Sequence, residues 1–580
     1  MGGVGRAGDP GAGVTGVDRV VRAYRRIAEV DRPEVWISLR PIEDALADAA
    51  AVDRRVAEGE TLALAGATLA VKDNIDVAGM ETTAACPAFA YAPQISAPVV
   101  ERLAAAGAVV LGKTNLDQFA TGLVGTRSPY GPVRDALRPR YVSGGSSSGS
   151  AVAVALGVAD IALGTDTAGS GRVPAAFQGI VGIKPTRGLV PTLGVVPACR
   201  TLDCVTVLAR RLDLAERAMS LMTAPPGRPW PVDTPLAADP SAVVALPREL
   251  PGLGPDAAHR FAAAADRLSD AGAQLVEIDL EPFLAAARLL YEGAFVAERY
   301  AAVGPFVDAH RSEVDPTVGA IIAAAGAVAA HALVTDGERL EALREGASAE
   351  LAGAHALLVP TAPRQPRIAE VSADPISVNA ELGTYTNFAN LLDMCAVAVP
   401  AGQADGGHFG VSLLGRAFAD RVVADLGAVL AGPIAPTGGP PSIDVFVVGA
   451  HRAGQPLNGQ LTARGARFAA TATTTTDYRL HRLDTAPPKP GLVRTGGRGA
   501  EIEGELWQLS PAGLGDFLST LPAPMALGRV GLADGRTSIG FLCEPSALEG
   551  AQDITEYGSW PAYLKAQDRR GAARQVMSGS

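Results

Sequence analysis

The spacing of apolar residues predicts alternating helices and strands along most of the chain. Residues 18–30, "DRVVRAYRRIAEV", place their apolar side chains on one face of a helix. Residues 61–79, "TLALAGATLAVKDNIDVAG", predict two strands, and the second strand ends at Lys72 before a turn. Residues 97–122 predict a helix, a strand and a second helix, and residues 241–280 predict a strand, a helix and a strand. This alternation is typical of an α/β domain in which helices cover a sheet.

A change in composition near residue 435 divides the chain. Residues 431–442, "AGPIAPTGGPPS", are rich in proline and glycine and carry no charge, which is typical of a linker. The sequence "IDVFVVGAHRAG" then begins a region of many short apolar runs. We predict a first domain over residues 1–435, of which about the first 17 residues are flexible. A linker over residues 436–442 and a small α+β domain over residues 443–580 follow.

Composition restricts the class of protein. The chain has 580 residues, of which 48% are hydrophobic, so it can bury large cores. A net charge of −11 argues against nucleic-acid binding, so an anionic substrate has to be held by specific cations. The longest apolar run, residues 319–334, is alanine-rich and too short to span a membrane. Five scattered cysteines and the absence of a signal-peptide pattern at the start predict a cytoplasmic location and no metal site.

Candidate chemistry lies in residues 144–177, "GGSSSGSAVAVALGVADIALGTDTAGSGRVPAAF". A serine hydroxyl is a poor nucleophile until a base removes its proton, and histidine is the usual base. The first histidine of the chain is His259, so the base is either another residue nearer in sequence or a distant histidine that folds back. Lys72 ends an apolar strand, where burial favours the neutral amine. Lys72 is therefore the best local candidate for the base.

The turn within this stretch predicts a second catalytic feature. In "TDTAGS", residues 165–170, several backbone N–H groups could point together toward an oxyanion. Gly169 permits a close approach, and Ser170 stands at the tip. Such loops also occur as flexible turns and phosphate cradles, although the G-K-[ST] ending of a P-loop is missing. Glycine and serine content alone leaves these alternatives open.

These segments resemble the amidase signature family. The match is carried by "AVKDNIDVAG" and "GGSSSGSAVAVALG…GTDTAGSGRVPAAFQGIVGIKPTRG", with flanks from residue 70 to about residue 402. It implies a mixed central sheet covered by helices and a Ser–Ser–Lys triad that hydrolyses amides. Ser170 takes the nucleophile position, Ser146 takes that of a bridging serine after a cis peptide bond, and Lys72 takes that of the base. The two serines are 24 residues apart, as in the family.

The same resemblance implies roles around the triad. Arg172 orders the turn through a carboxylate, whereas Ser147 and Ser148 are loop hydroxyls. The backbone amides implied to receive the oxyanion belong to Thr167, Ala168, Gly169 and Ser170.

A narrower resemblance connects the chain to the allophanate hydrolases, a branch of this family. It is carried by residues 113–131, 289–303 and 379–402 and by the C-terminal "VGAHRAGQPLNGQL". It implies the substrate allophanate, a urea with a carboxylate on one nitrogen. The residues that match the branch's substrate-binding positions are Tyr291 and Arg299, with Gly122, Thr126 and Arg127 as further candidates for the pocket wall.

Tyr291 and Arg299 are eight residues apart in sequence. On a continuous helix they would lie about 12 Å apart along the axis, on roughly one face. Both side chains are long enough to converge on a small anion, and arginine suits a two-pronged hold on a carboxylate. The alternative is a surface helix on which Arg299 pairs with Glu292 or Glu298.

The resemblance also implies the remaining chemistry. Allophanate yields ammonia and an N-carboxylated carbamate, which then gives a second ammonia and carbon dioxide, without a cofactor. The C-terminal region resembles a gamma-glutamylcyclotransferase-like fold, in which His451 matches a histidine associated with decarboxylation. The alternative is that His451 only closes a turn. We expect a homodimer and a link to urea carboxylase, and neither nucleic-acid nor membrane partners.

Two other functions stay open. The first is another amidase, or an amidotransferase component, of the same family, against which the C-terminal region and the pair Tyr291 and Arg299 argue. The second is a binding protein with a decayed amidase fold. The presence of Lys72, Ser146 and Ser170 together argues against it.

Overall fold

The computed structural model describes residues 13–223, 225–434 and 438–578, with side-chain surroundings as far as residue 570. It divides into two units. The first consists of Met1–Pro229 and Ser241–Gly439, and the second consists of Trp230–Pro240 and Pro440–Ser580.

Three features of the predicted domain boundaries can be compared with these units. The sequence places residues 230–240 in the first domain, but they belong to the second unit, where the Leu236 amide donates to the Gly465 carbonyl at 2.9 Å. The predicted flexible start falls mainly on residues 1–12, which lie outside the described residues, and a helix already begins at Gly16. Residues 436 and 437 of the predicted linker also lie outside the described residues.

Within the described residues, eleven strands of the first unit form one sheet. They are β1 (Trp36–Leu39), β2 (Thr68–Lys72), β3 (Val109–Thr114), β4 (Ile161–Asp166), β5 (Val181–Lys184), β6 (Cys204–Ala209), β7 (Val243–Pro247), β8 (Gln274–Ile278), β9 (Ala356–Pro360), β10 (Cys395–Ala404) and β11 (Gly407–Gly415). Their order is β1-β3-β2-β4-β6-β5-β10-β11-β9-β7-β8. Strand β2 is parallel to β3 and β4, and β7 is parallel to β8 and β9, whereas the other neighbours are antiparallel.

Helices accompany this sheet throughout the first unit. They are α1 (Gly16–Val30), α2 (Ile42–Ala57), α3 (Pro98–Ala105), α4 (Ser148–Ala155), α5 (Arg172–Gln178), α6 (Leu212–Met222), α7 (Pro255–Asp270), α8 (Glu281–Arg288), α9 (Ala297–Ala309), α10 (Pro316–Ala325), α11 (Ala330–Glu350), α12 (Ile368–Ala373), α13 (Ser377–Leu382), α14 (Asn387–Leu391) and α15 (Asp420–Ala431). The predicted mixed sheet with covering helices is confirmed.

Two of the predicted elements are wrong. The first strand of the predicted pair does not form, because residues 61–66 make turns in which the Leu64 amide donates to the Ala106 carbonyl. The predicted helix before residue 122 is a single 3-10 turn, Gln118–Ala120. Phe119 and Ala120 have φ angles of 50° and 53°, a left-handed conformation that cannot continue a right-handed helix.

Helix α4 lies in the core of the first unit and directly follows Ser146 and Ser147. Residues 151–154 are fully buried, and the helix contacts β2, β4, β6 and α5. A helix that is apolar on all sides is expected in a protein interior. Ser146 lies just before α4, and β4 ends at Asp166, just before the turn that leads to Ser170. The buried packing of α4 and β4 therefore holds both serine-containing segments in place.

The second unit is a small α+β domain, as predicted. Its strands are β12 (Ile443–Val447), β13 (Arg467–Thr473), β14 (Tyr478–Leu483), β15 (Lys489–Arg494), β16 (Glu503–Leu509), β17 (Met525–Gly531), β18 (Thr537–Cys543) and β19 (Gln552–Asp553). They form a five-stranded sheet, β13-β16-β12-β18-β17, and a three-stranded sheet, β15-β14-β19. Its helices are α16 (Gly459–Thr462), α17 (Pro511–Ser519) and α18 (Trp560–Ser578).

No single helix in the described ranges has both the length and the apolar composition needed to cross a membrane. Helices α10 and α11 meet that test only when they are joined, and their axes are bent by 93°.

Candidate active site

Lys72 lies at the carboxyl end of β2, inside the sheet, and its side chain is fully buried. Its Nζ donates to Ser146 Oγ at 2.8 Å and to Thr165 Oγ1 at 2.7 Å. Burial lowers the pKa of Lys72 to about 7, against the opposing effect of nearby carboxylates led by Asp117. The amine is therefore close to half neutral near pH 7, as a general base requires. Thr165, the second partner of this amine, was not predicted from the sequence.

The two serines of the predicted triad are brought close by the backbone. The Ser147 amide donates to the Ser170 carbonyl at 3.2 Å, and the Gly145–Ser146 peptide bond is cis, as the family resemblance implies. Ser170 Oγ donates to the Gly122 carbonyl at 3.4 Å. In the part of the chain that the structure describes, Ser146 Oγ has a hydrogen bond to Lys72 and none to Ser170. The structure thus joins Lys72 and Ser146 directly, and Ser170 lies in the adjacent segment.

Asp166 organises the turn that leads to Ser170. Its carboxylate accepts the Gly169 and Gly171 amides at 2.9 and 3.1 Å, and Arg172 grips it with Nε and Nη2, both at 2.9 Å. The expected carboxylate partner of Arg172 is therefore Asp166. Burial opposes ionisation of Asp166, but Arg172 outweighs it and holds the pKa of this carboxyl below its usual range.

A distant residue anchors the same turn. Asn390 Nδ2 donates to the Asp166 carbonyl at 2.7 Å, and Arg172 Nη2 donates to Asn390 Oδ1 at 3.2 Å. Gly169 has a φ of +134°, and a Cβ there would lie 2.3 Å from Thr386 Oγ1, so only glycine fits. The turn is therefore held by neighbouring residues and also by Asn390, which is more than 200 residues away in sequence.

The amides of this turn differ in their availability. The Gly169 amide, one of the four predicted oxyanion donors, already donates to Asp166. Within the described ranges, the amides of Thr167, Ala168 and Ser170 have no hydrogen-bond acceptor. Three of the four predicted donors are therefore free for a ligand.

A second buried carboxylate, Asp203, holds the side of the turn. Thr167 Oγ1 donates to it, and its Oδ2 accepts the Ala198 amide at 2.9 Å. Burial raises the pKa of Asp203, in spite of these hydrogen bonds. No motif in the sequence pointed to this residue.

Tyr291 and Arg299 meet, although no continuous helix joins them. Helix α8 ends at Arg288, a 3-10 turn follows at Ala294–Val296, and α9 begins at Ala297. Tyr291 lies in this break, and its hydroxyl accepts Arg299 Nη2 at 3.0 Å. The chain therefore folds back between the two residues, which brings their side chains together without helical spacing.

Arg299 is a buried cation without a carboxylate partner. Only 1% of its surface is exposed, and its Nη1 donates to Thr121 Oγ1 at 3.0 Å. Its Nε has no acceptor among the described residues, nor does any described carboxylate lie in ion-pair range of its guanidinium. The alternative of a surface pair is wrong, because Glu298 instead accepts the Thr201 amide at 2.9 Å. A buried charge of this kind is costly unless a counter-charge joins it.

Gly122 lies between these groups. Its carbonyl accepts the Ser170 hydroxyl, and a Cβ at its φ of +156° would lie 2.7 Å from Asp117 Oδ2. Arg127 is buried and its Nη1 donates to the Thr121 carbonyl at 3.0 Å, so it braces the loop. Thr126 is half-buried.

A cavity of about 300 Å³ lies beside these residues. Tyr291, Arg127 and Asn379 line it, together with mainly aliphatic side chains such as Ile321. Asn379 Oδ1 accepts the Leu123 amide at 2.7 Å, which connects the cavity wall to the segment next to Gly122. The cavity is large enough for a small substrate to approach Tyr291.

His451, in the second unit, is buried in an aromatic environment. Its ring stacks on Phe541 at 4.7 Å, and its Nε2 lies 3.0 Å from Gln460 Oε1. Burial lowers the pKa of His451, so the imidazole is neutral near pH 7. A small cavity of about 10 Å³ adjoins it, and Lys489 also lines this space. No described group of three or more His, Cys, Asp and Glu side chains could hold a metal ion.

Comparison with known proteins shows which families the two parts of the chain resemble. Residues 19–423 match the Amidase family, and residues 443–565 match the Allophanate hydrolase C-terminal domain. The chain is 41% identical to urea amidolyase of Saccharomyces cerevisiae, with 95% of this chain covered but only 32% of that enzyme. It is 34% identical to a glutamyl-tRNA(Gln) amidotransferase chain of Symbiobacterium thermophilum, covering 71% of this chain and 92% of that one.

A solved structure covers nearly the whole chain. SeMet-substituted allophanate hydrolase of Kluyveromyces lactis superimposes with a TM-score of 0.87 and 37% identity, covering 96% of this chain and 97% of that one. Fold and family match together define an amidohydrolase. The chain belongs to the Amidase family and carries the C-terminal domain of allophanate hydrolases, which confirms both resemblances drawn from the sequence.

Proposed function

We propose that this chain hydrolyses allophanate to ammonia and carbon dioxide. The observation that carries the proposal is Arg299, a buried guanidinium with no carboxylate in ion-pair range among the described residues. It is hydrogen-bonded to Thr121, and the next residue, Gly122, accepts the hydroxyl of Ser170 in an amidase fold.

Buried Asp203 attracts Arg299 electrostatically without forming an ion pair with it. A substrate carboxylate would supply the direct ion pair, and the Tyr291 hydroxyl would add a hydrogen bond. The similarity to an allophanate hydrolase over nearly its full length supports the same substrate.

The proposed acylation uses Ser170, Ser146 and Lys72. Neutral Lys72 takes the proton of Ser146, which in turn takes the proton of Ser170, and Ser170 Oγ bonds to the terminal amide carbon. Ser170 Oγ now bonds to the Gly122 carbonyl, so the hydroxyl has to rotate toward Ser146 before it reacts. The proton held by Lys72 returns to the leaving nitrogen, and the C–N bond breaks to release ammonia.

The oxyanion in this step is assigned to the amides of Thr167, Ala168 and Ser170. These amides have no acceptor among the described residues, and the turn that bears them is fixed by Asp166 and Asn390. Donors that are already oriented stabilise a developing negative charge without reorganisation. The Gly169 amide serves Asp166 instead and shapes the turn.

Water then cleaves the acyl-enzyme through the same residues. The base Lys72 takes a proton from water, the new C–O bond forms, and Ser170 leaves with a proton as N-carboxycarbamate is released. This dianion takes up a proton on its nitrogen and loses carbon dioxide to give carbamate. Carbamate takes up a second proton and breaks down to ammonia and a second carbon dioxide. One allophanate thus yields two ammonia molecules.

The first alternative function is amide hydrolysis in an amidotransferase. A relative of that kind shares the first unit of this chain, so the triad does not separate the two functions. The buried Arg299 and the match of residues 443–565 to the allophanate hydrolase C-terminal domain favour an anionic urea over glutamine.

Replacement of Arg299 by alanine tests the proposed substrate. We expect kcat/KM for allophanate to fall by about 10- to 150-fold, because a charge-assisted hydrogen bond is worth about 1.5–3 kcal/mol. Labelling of Ser170 by a neutral fluorophosphonate should be almost unchanged, since the triad lies in other segments. Ammonia release measures the first quantity, and labelling rates measure the second.

Arg288→Ala is the matched control for this test. Arg288 ends α8, and its side chain is 48% exposed and pairs with Glu281, so its loss should leave both readouts near wild-type values. A parallel fall of turnover and labelling in Arg299→Ala would make Arg299 structural. A wild-type enzyme that turns over glutamine but not allophanate would overturn the proposed function.

A second step is proposed for His451. A neutral imidazole can pass a proton to the nitrogen that loses carbon dioxide. Its burial and its lowered pKa support this role. The adjoining cavity is smaller than N-carboxycarbamate, so side chains there have to move to admit it. The alternative is that His451 only closes a turn. Asn458 Nδ2 donates to the backbone carbonyl of His451 at 2.8 Å, which supports this alternative because the bond does not involve the imidazole ring.

His451→Asn separates these two roles. We expect the first ammonia to appear at the wild-type rate, while carbon dioxide follows more slowly, because asparagine does not transfer protons near pH 7. Parallel traces of ammonia and carbon dioxide at mildly alkaline pH, where carbamates persist, measure the delay. Coincident traces in the variant would remove His451 from the reaction.

The partners and location are also proposals. We propose a functional link to urea carboxylase, supported by the similarity to urea amidolyase, of which this chain spans about a third. The homodimer and the cytoplasmic location stay predictions.

A further inference from the structure

Thr121 connects the buried arginine to the segment that contacts the nucleophile. Its Oγ1 accepts Arg299 Nη1 at 3.0 Å, and the next residue, Gly122, accepts the Ser170 hydroxyl through its carbonyl. One peptide unit therefore separates the contact with the cation from the contact with the serine. The sequence offered no sign of this role, since Thr121 lies 178 residues from Arg299.

The Thr121 hydroxyl uses both of its hydrogen-bonding capacities. It donates to the Phe119 carbonyl at 3.3 Å and accepts from Arg299. The Thr121 amide donates to the Gln118 carbonyl at 3.0 Å, and the Thr121 carbonyl accepts Arg127 Nη1 at 3.0 Å. Side chain and backbone are therefore fixed together, so the hydroxyl cannot turn away from Arg299 without the loss of a buried bond.

The backbone around Thr121 is held in an uncommon conformation. Phe119 and Ala120 have φ angles of 50° and 53°, which non-glycine residues adopt rarely and at some cost. Asp117 holds the far side of the loop, where its carboxylate accepts the Gly125 and Arg127 amides at 2.9 and 3.0 Å. Such a conformation persists only where the surroundings determine it, and it clusters at sites whose geometry matters.

We propose that Thr121 is a positioning residue that fixes the Arg299 guanidinium relative to the Gly122 segment, and thereby its distance from the backbone that bears Ser170. The site thereby selects amides whose carboxylate carbon is one atom from the reacting carbonyl. Allophanate has one nitrogen between the two carbons, malonamate has one CH₂ group, and succinamate has two. This inference rests on the proposed function, because it assigns the carboxylate to Arg299.

Two variants of Thr121 test this role. Thr121→Val keeps the shape but removes the hydroxyl, so Arg299 Nη1 loses its acceptor. We expect KM for allophanate to rise about tenfold with a smaller change in kcat, and the preference for malonamate over succinamate to fall by a similar factor. Thr121→Ser keeps the hydroxyl and should restore both values to within about threefold of wild type. Labelling of Ser170 by a neutral fluorophosphonate should stay constant in both variants.

Each outcome of these measurements bears on the inference. A Thr121→Val variant with wild-type KM and substrate preference would overturn it, and so would a serine variant as impaired as the valine variant. Equal loss for all substrates and for labelling would make Thr121 merely structural. A wild-type enzyme that turns over allophanate yet does not prefer malonamate to succinamate would remove the selection by length. Failure of the wild-type enzyme on allophanate itself would instead reject the proposed function, and the inference with it.

Discussion

A Ser170→Ala variant is expected to lose hydrolysis of allophanate by about 10⁴-fold or more while it keeps its fold. The reason for the loss is that the proposed acyl-enzyme cannot form without Oγ. The fold should survive because, among the described residues, the hydroxyl makes one long hydrogen bond, 3.4 Å to the Gly122 carbonyl. Ammonia release measures the activity, and thermal unfolding measures the stability of the purified protein.

Ser148→Ala is the matched control for the nucleophile. Ser148 is also fully buried, and the one hydrogen bond that its Oγ makes within the described ranges is 3.4 Å long, to the Asn115 carbonyl. Its loss should change activity by no more than a few-fold. Near-normal turnover by Ser170→Ala, or an equal loss in both variants, would contradict the assignment of Ser170.

Lys72→Ala and Lys72→Arg are expected to be almost inactive. Alanine removes the proposed base, and arginine stays protonated at any working pH, so neither accepts a proton from Ser146. For the wild-type enzyme, the pKa of about 7 predicts the pH dependence. The neutral amine is the active form, so kcat/KM should be constant above pH 7 and fall tenfold for each pH unit below it. A pH profile of the free enzyme measures this acid limb.

Ser146→Ala provides a second view of the same network. It removes the hydroxyl that accepts a hydrogen bond from Lys72 Nζ at 2.8 Å, so activity should fall by several orders of magnitude.

For the Lys72 prediction, an active Lys72→Arg variant would mean that Lys72 contributes only charge. An acid limb near the ordinary lysine pKa of about 10.4 would show that burial does not tune it.

Local patterns predicted the elements that lead to the site. The apolar run that ends at Lys72, and the alanine- and valine-rich stretch between Ser146 and Ser170, became β2, α4 and β4. These segments are buried, so their apolar composition predicts burial, whereas length and flanking residues are needed to tell strand from helix. Lys72 as a candidate base came from the residues themselves, whereas the roles of Ser146 and Ser170 came from the family resemblance, and all three stay predictions.

Contacts between distant segments could not be predicted in this way. Thr165 and Lys72 are 93 residues apart, and Thr121 and Arg299 are 178 apart. The left-handed backbone at Phe119 is also a tertiary effect, since phenylalanine has no local preference for it. The break between α8 and α9 was missed because "YEGAFVAERY" has helical composition. Such features depend on contacts between segments that are distant in sequence, and the periodicity of apolar residues carries no information about those contacts.

The anchor of the catalytic turn has a consequence for synthesis on the ribosome. Asn390 is 224 residues after Asp166, whose carbonyl it holds. At about 5–20 residues per second, roughly 10 to 45 s pass between the emergence of the two. During that interval the nascent chain displays Ser170 without the side chain that fastens its turn. The turn that bears Ser170 therefore gains its last hydrogen bond only when α14, the last helix before β10, has been made.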